Sequence, residues 1–150
     1  MKYNLKRALG FSLLLYIATF IVGIVAGVIS GQDMGSMNTI SDSFWYIGMI
    51  AAVILTALFS LWYFRSPMIM PSATSGFFFG LTAIILSSIL DAILFSLGNT
   101  QGANVDLGKY YGDYRFWIII VLVVITAKVV GYLKGRTIKP PMVTPVGGSM

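Results

Sequence analysis

Four long apolar runs constrain this chain more than any other feature of its sequence. They cover residues 9–29, 44–64, 73–97 and 116–133. At 1.5 Å per residue, a helix of about 20 residues crosses the roughly 30 Å hydrocarbon core of a bilayer. The sequence therefore predicts an all-α integral membrane protein, a four-helix bundle of four transmembrane helices with the lipid bilayer as its partner.

Composition supports the same conclusion. Apolar residues make up 57% of the chain, charged residues only 10%, and the mean hydropathy is +0.87. A soluble domain with these values would have too little polar surface. We expect one domain over residues 1–136 and a disordered cytoplasmic tail over residues 137–150, which holds three of the five prolines. The net charge of +5 is expected to reflect membrane topology and not nucleic-acid binding.

Lysine and arginine are distributed unequally between the two ends of the runs. Two basic residues, Lys109 and Arg115, lie in the third connection, and the first connection has none. Seven lie at the opposite end: Lys2, Lys6, Arg7, Arg65, Lys134, Arg136 and Lys139. By the positive-inside rule, this bias predicts that both termini are cytoplasmic. The expected location is a prokaryotic cytoplasmic membrane.

The residue types that are missing narrow the chemistry. The chain has no Cys, His or Glu, and its five acids are all Asp. Disulfide exchange, haem ligation by His or Cys and the usual zinc sites are therefore excluded. We predict no metal site and no cofactor. Any general acid or base must be one of the aspartates, or a Lys or Tyr with a shifted pKa.

Small residues are spaced for helix packing in two of the runs. Gly23, Gly27 and Gly31 recur at intervals of four, and Tyr16 and Thr19 continue the same stripe. Such stripes let helix backbones approach closely in lipid, either within one chain or between two copies. In the third run a narrow arc of small residues leads to a carboxylate: Gly76, Gly80, Ala83, Ser87 and Asp91.

Asp91 and Lys128 are the two charges inside the runs. A carboxylate in hydrocarbon is costly and normally faces the bundle interior or a cavity. If the spans are aligned at their outer ends, Lys128 lies about 9 Å deeper along the helix axis than Asp91. The two can pair, or Lys128 can reach the cytoplasmic interface. The other candidate partners of Asp91 are Ser87, Ser88, Tyr110 and Arg115.

The short connection 65–72 predicts that the second and third helices are antiparallel neighbours.

Three functional classes follow from these features. The first, which is our main expectation, is a structural or accessory subunit in a homo-oligomer or a heteromeric membrane complex. We expect no enzymatic activity in this case. The second is a small dimeric transporter or channel that uses Asp91 as an ion or proton site. Small multidrug exporters are similar in span count, but they carry a Glu in the first span, and this first span has no acid.

The third class is an intramembrane aspartyl hydrolase with Asp91 and Asp113 as its carboxylates. Residues 112–116, Gly-Asp-Tyr-Arg-Phe, resemble the approach to the last helix of lipoprotein signal peptidase, which also has four spans with both ends inside. That family has an Asn-x-x-Asp element at the head of the helix. Here residues 118–124 are entirely apolar.

Overall fold

The computed structural model describes residues 3–31, 40–100 and 107–137 of this chain. Its four long helices are α1 (Leu5–Ile29), α2 (Asp42–Tyr63), α3 (Ala73–Thr100) and α5 (Tyr114–Thr137), and α4 (Leu107–Gly112) is a short helix before α5. The long helices are apolar and long enough to cross a membrane, and the described residues contain no strand. The predicted all-α class is confirmed. Most of the first connection, Asp106 and residues 138–150 of the tail expected to be disordered lie outside the described residues, whereas Thr137 is the last residue of α5.

Polar side chains mark where three of the long helices begin. Asn4 accepts a hydrogen bond from the Arg7 backbone N–H, and Ser41 accepts one from Phe44. Before α3, the backbone N–H groups of Ser72 and Ser75 each donate to the other residue's hydroxyl, at 2.9 and 3.0 Å. These bonds satisfy N–H groups that have no partner within a helix. Helix starts are therefore fixed locally, by residues that are visible in the sequence.

The four long helices form a ring in the order α1, α2, α5, α3. The prediction that α2 and α3 are neighbours is wrong, because they lie on a diagonal of the ring and touch only slightly. The connection between them has eight to nine residues and can extend over about 25 Å, which is enough to cross the end of the bundle. Ile69 of this connection is buried against the core. A short connection thus did not determine which helices are adjacent.

Glycines bring α3 and α5 into backbone contact. A Cβ atom added at Gly76 would overlap the Ala127 carbonyl group, and one at Gly80 would lie 3.1 Å from the Val124 Cα atom. On α5, a Cβ added at Gly131 would overlap the Ser72 carbonyl oxygen. Close backbone approach of this kind holds helices together in lipid, where burial of apolar side chains gives little driving force.

Aromatic side chains complete the core beside this contact. The rings of Tyr63 and Phe79 stack with centroids 4.7 Å apart, and both residues are fully buried. Ala8, Phe64 and Ala127 belong to the same buried cluster. We call this part of the bundle, where α1 begins and α5 ends, the terminal half. The opposite part, where α1 ends and α2 begins, is the loop half.

The outer surface of the bundle is apolar. Each long helix exposes large aliphatic side chains, among them Ile21, Ile50, Ile89 and Val121. Soluble monomers rarely expose so much contiguous apolar surface. Together with the length of the four helices, this surface suggests a multi-pass membrane protein.

Candidate functional site

A cavity of about 500 Å³ lies inside the loop half. Its wall has residues from all four long helices and from α4, and most of them are apolar. Of the lining residues, those that remain exposed are Phe20 and Ile24 on α1 and Leu94 on α3. All three lie on α1 and α3, which are neighbours in the ring, so the wall of the cavity reaches the outer surface on these two helices. Its volume falls in the range of pockets that hold drug-sized ligands.

Asp91 is the carboxylate in the wall of this cavity. The Tyr16 hydroxyl donates a hydrogen bond of 2.8 Å to the Asp91 Oδ1 atom. The Tyr16 ring stacks on Phe20, with centroids 6.3 Å apart, and this contact orients the phenol. The sequence placed Tyr16 on the glycine stripe of α1 but did not indicate it as the partner of Asp91. Ser87, an expected partner, also lines the cavity, without a hydrogen bond to Asp91 among the described residues.

Lys128 is far from this carboxylate. Its Cα atom lies beside Gly76, within 3 Å of the position that a Gly76 Cβ would take. Fifteen residues of α3 separate Gly76 from Asp91, which is about 22 Å along the helix. The expected offset of about 9 Å is therefore too small, because the glycine contact shifts α3 along α5. No ion pair joins Asp91 and Lys128 in the described structure.

Four aromatic side chains close the cavity at its loop end. The rings of Trp45 and Tyr110 stack with centroids 5.7 Å apart. Phe95 and Phe116 contact the Tyr110 ring at 5.5 and 5.3 Å. Burial, with a smaller effect of the Asp91 charge, raises the pKa of the Tyr110 phenol well above its ordinary value. We call Trp45, Phe95, Tyr110 and Phe116 the aromatic roof, and its phenol is neutral at physiological pH.

Arg115 holds this roof from outside. Its guanidinium group pairs with Asp42 at the start of α2 and with Asp113, whose Oδ2 atom is 2.8 Å from Arg115 Nη2. The guanidinium carbon also lies 5.5 Å from the centre of the Trp45 ring. Hydrogen bonding to Arg115 is the main reason why the pKa of Asp113 is lowered. Asp91 and Asp113 thus have different partners, and within the described part of the chain no hydrogen bond joins them as a catalytic dyad.

Two buried polar atoms of the cavity wall have no hydrogen-bond partner in the described structure. They are Trp45 Nε1 and Thr56 Oγ1. Both residues are 1% exposed and both line the cavity. A buried donor without a partner is unfavourable by about 1–3 kcal/mol. The wall therefore carries hydrogen-bonding capacity, in addition to Asp91, that the described residues leave unused.

The glycine stripe of α1 lies partly against this cavity. Gly23 lines it, and a Cβ atom added at Gly23 or Gly31 would meet no atom within 4 Å. Gly27 is buried. Gly31 follows the end of α1 with a positive φ of 65°, a backbone conformation that favours glycine. The close contact expected along this stripe is thus absent at Gly23 and Gly31 within the described chain.

Within the described residues, no group of three His, Cys, Asp or Glu side chains is placed to hold a metal ion. Comparison with known proteins found no matching family model, no matching curated protein and no matching solved structure.

Proposed function

We propose that this protein is a small multi-pass membrane transporter that binds a lipophilic cation in the loop-half cavity. Asp91 is the counter-ion of this cation. The observation that carries the proposal is a carboxylate in the wall of a largely apolar cavity, held by a neutral phenol and paired with no cation among the described residues. An intramembrane ionisable group of this kind is a default candidate for a functional site.

Charge is the first argument for a cationic ligand. The described ion pairs both belong to Arg115, which already has Asp42 and Asp113 as partners. A ligand cation beside Asp91 would offset the unfavourable desolvation of its carboxylate, because opposite charges attract more strongly in a low-dielectric site. The Tyr16 bond occupies Oδ1 and leaves Oδ2 for the ligand.

The shape of the cavity is the second argument. The four rings of the aromatic roof line the cavity, and a cation that reaches the face of such a ring is attracted by its quadrupole. The remaining wall is mainly aliphatic and suits an apolar body. Because lining residues of α1 and α3 are exposed on the outer surface, we infer that a ligand that partitions into the bilayer enters between these two helices.

Transport of a lipophilic cation across a membrane tests this proposal. Proteoliposomes with the purified chain should take up tetraphenylphosphonium faster than empty liposomes, since this cation matches the cavity in charge and polarity. Asp91→Asn should abolish the protein-dependent flux, whereas Asp91→Glu, which keeps the charge, should retain part of it. Stability of Asp91→Asn in detergent should change little, because an amide oxygen can still accept the Tyr16 bond. Equal flux through wild type and Asp91→Asn would refute the role of the carboxylate.

We also propose that both termini lie on the cytoplasmic side of a prokaryotic membrane, which puts the cavity in the outer half of the bilayer. The seven basic residues at the terminal end support this orientation. Single cysteines at Ser36, Ser66, Thr100 and Ser149 test it, because the chain has no cysteine of its own. A membrane-impermeant thiol reagent should label the first and third sites in intact cells. Labelling at Ser66 or Ser149 would reverse the orientation.

A second candidate function is that of an accessory subunit in a membrane complex. The open space next to Gly31, at the end of α1, favours it, because a helix of a partner or of a second copy can approach the α1 backbone there. Purification in mild detergent separates the two functions. A stable heteromeric complex would support the accessory subunit, and a self-contained monomer or dimer would support the transporter.

A further inference from the structure

The contact between α1 and α2 contains buried hydroxyl groups with no partner. Ser12 on α1 and Thr56 and Ser60 on α2 are at most 1% exposed, and none of their side-chain oxygens has a hydrogen-bond partner in the described structure. The Arg7 Nε atom, close to the start of α1, is also buried without a partner. Buried polar groups are nearly always satisfied, so each such group requires a physical explanation.

These hydroxyls differ from others in the same bundle. Serine and threonine inside helices usually donate back to a carbonyl three or four residues earlier. Thr19 bonds to the Leu15 carbonyl at 2.9 Å and Thr82 to the Phe78 carbonyl at 2.8 Å. Ser12, Thr56 and Ser60 make no such bond. Their hydroxyls therefore retain free hydrogen-bonding capacity inside the α1–α2 contact.

The groups follow one another from the cavity towards the terminal end. Thr56 is the lining residue of α2 nearest to the end of that helix, and Ser60 lies one turn further, about 6 Å along the helix. Phe11, next to Ser12, packs edge-on against Trp62 and Tyr63, which puts Ser12 at a depth close to that of Ser60. The Arg7 guanidinium carbon lies 4.8 Å from the centre of the Phe11 ring.

We call the four residues Arg7, Ser12, Thr56 and Ser60 the α1–α2 seam. We propose that ordered water molecules occupy this seam and connect the cavity to water at the terminal end. A buried water molecule needs two to four polar partners, and each seam group has a polar atom whose hydrogen-bonding capacity is unused in the described structure. The seam gives water a route to the cavity through the terminal half. Because Arg7 is positively charged, the seam favours water over free cations, as an arginine does in water-selective pores.

Cysteine reactivity tests this hydration directly. The thiolate is the reactive form, and a thiol in a dry apolar environment stays protonated. Ser12→Cys and Ser60→Cys should therefore react with methyl methanethiosulfonate at least roughly tenfold faster than Leu58→Cys, which faces outward on the same helix at a similar depth. Met68→Cys, in an exposed turn, gives the rate of a fully hydrated thiol. Rates for the seam thiols as low as that of Leu58→Cys would overturn the proposal.

Thermal stability gives a second, independent test in the full chain. If the seam is dry, Ser60→Ala removes an unsatisfied hydroxyl and should raise the Tm. If water fills the seam, Ser60→Ala breaks bonds to that water, and the Tm should stay equal or fall. A higher Tm for both Ser60→Ala and Thr56→Val would contradict the proposal. Neither measurement depends on cation flux, so the hydrated seam and the transport function can fail separately.

Discussion

The terminal half and the loop half of this bundle are built from the same four helices, but they pack in opposite ways. In the terminal half, Gly76 and Gly131 allow the α3 and α5 backbones to touch, and Tyr63 stacks on Phe79. In the loop half, the helices leave a cavity of about 500 Å³ with Asp91 in its wall. One half resembles a protein core in its packing, and the other resembles a binding site.

The two halves differ in where their small residues and their large rings lie. Glycine and alanine lie between α3 and α5 in the terminal half, so the helix axes come close together there. The loop half has Trp45, Phe95 and Phe116 on three of the helices, and these rings meet through Tyr110 of α4. In the terminal half, by contrast, the rings of Tyr63 and Phe79 stack directly on each other beside the glycine contact. The backbone contact at the glycines is thus the feature that the loop half lacks.

The largest expected effect is a loss of stability when the helix contact in the terminal half is disrupted. Gly76→Leu would drive a side chain into the Ala127 carbonyl group and should destabilise the protein by about 3 kcal/mol or more. Gly23→Leu, whose side chain would enter open space, should leave the Tm almost unchanged. Thermal unfolding in detergent compares the two variants. Equal losses of stability would mean that the two halves do not differ in packing.

The second effect concerns assembly along α1. Gly27→Leu should lower stability by about 1–3 kcal/mol, because Gly27 is buried and a leucine there must displace its neighbours. Val28→Leu is the matched control, since Val28 is 73% exposed and its side chain points away from the bundle. Size-exclusion chromatography should show a changed assembly for the first variant alone. Identical profiles for both variants would show that the stripe faces lipid.

The third effect lies in the cavity. Tyr16→Phe removes the hydrogen bond to Asp91 and should cost about 1–2 kcal/mol, which is less than a packing defect in the terminal half. Tyr46→Phe, on the exposed side of α2, should change the Tm very little. A loss as small for Tyr16→Phe as for Tyr46→Phe would mean that the bond does not stabilise the loop half.

The smallest effect is a pH dependence of the roof. The pKa of Asp113 is lowered by its bonds to Arg115, so the pair stabilises the folded chain above the ordinary value of 3.8 and is lost as the pH falls below it. Trp45 lies beneath Arg115, and in the variant Trp62→Phe/Trp117→Phe its fluorescence should change in this acid range. Asp113→Asn should reduce the change. An unaltered transition in Asp113→Asn would exclude this pair as its cause.

Local features of the structure were accessible from the sequence. The apolar runs predicted the four long helices to within a few residues. Three features depend on contacts between distant parts of the chain and were not predicted: the diagonal placement of α2 and α3, the shift of α3 along α5, and the bond from Tyr16 to Asp91. Helix α4 was not predicted either. It has only six residues, which are too few to show a clear hydrophobic period.

Equilibrium binding tests the difference between the halves most directly. Tetraphenylphosphonium should bind the purified chain saturably, at one site per chain, and should change the fluorescence of Trp45 in the variant Trp62→Phe/Trp117→Phe. In that background, Asp91→Asn should weaken binding by roughly tenfold or more, as expected for the loss of one charge interaction of about 1.4 kcal/mol. Gly23→Leu, which keeps the fold but fills part of the cavity, should weaken it as well. Absence of saturable binding, or unchanged affinity in Asp91→Asn, would contradict the account of the loop half as a cation-binding site.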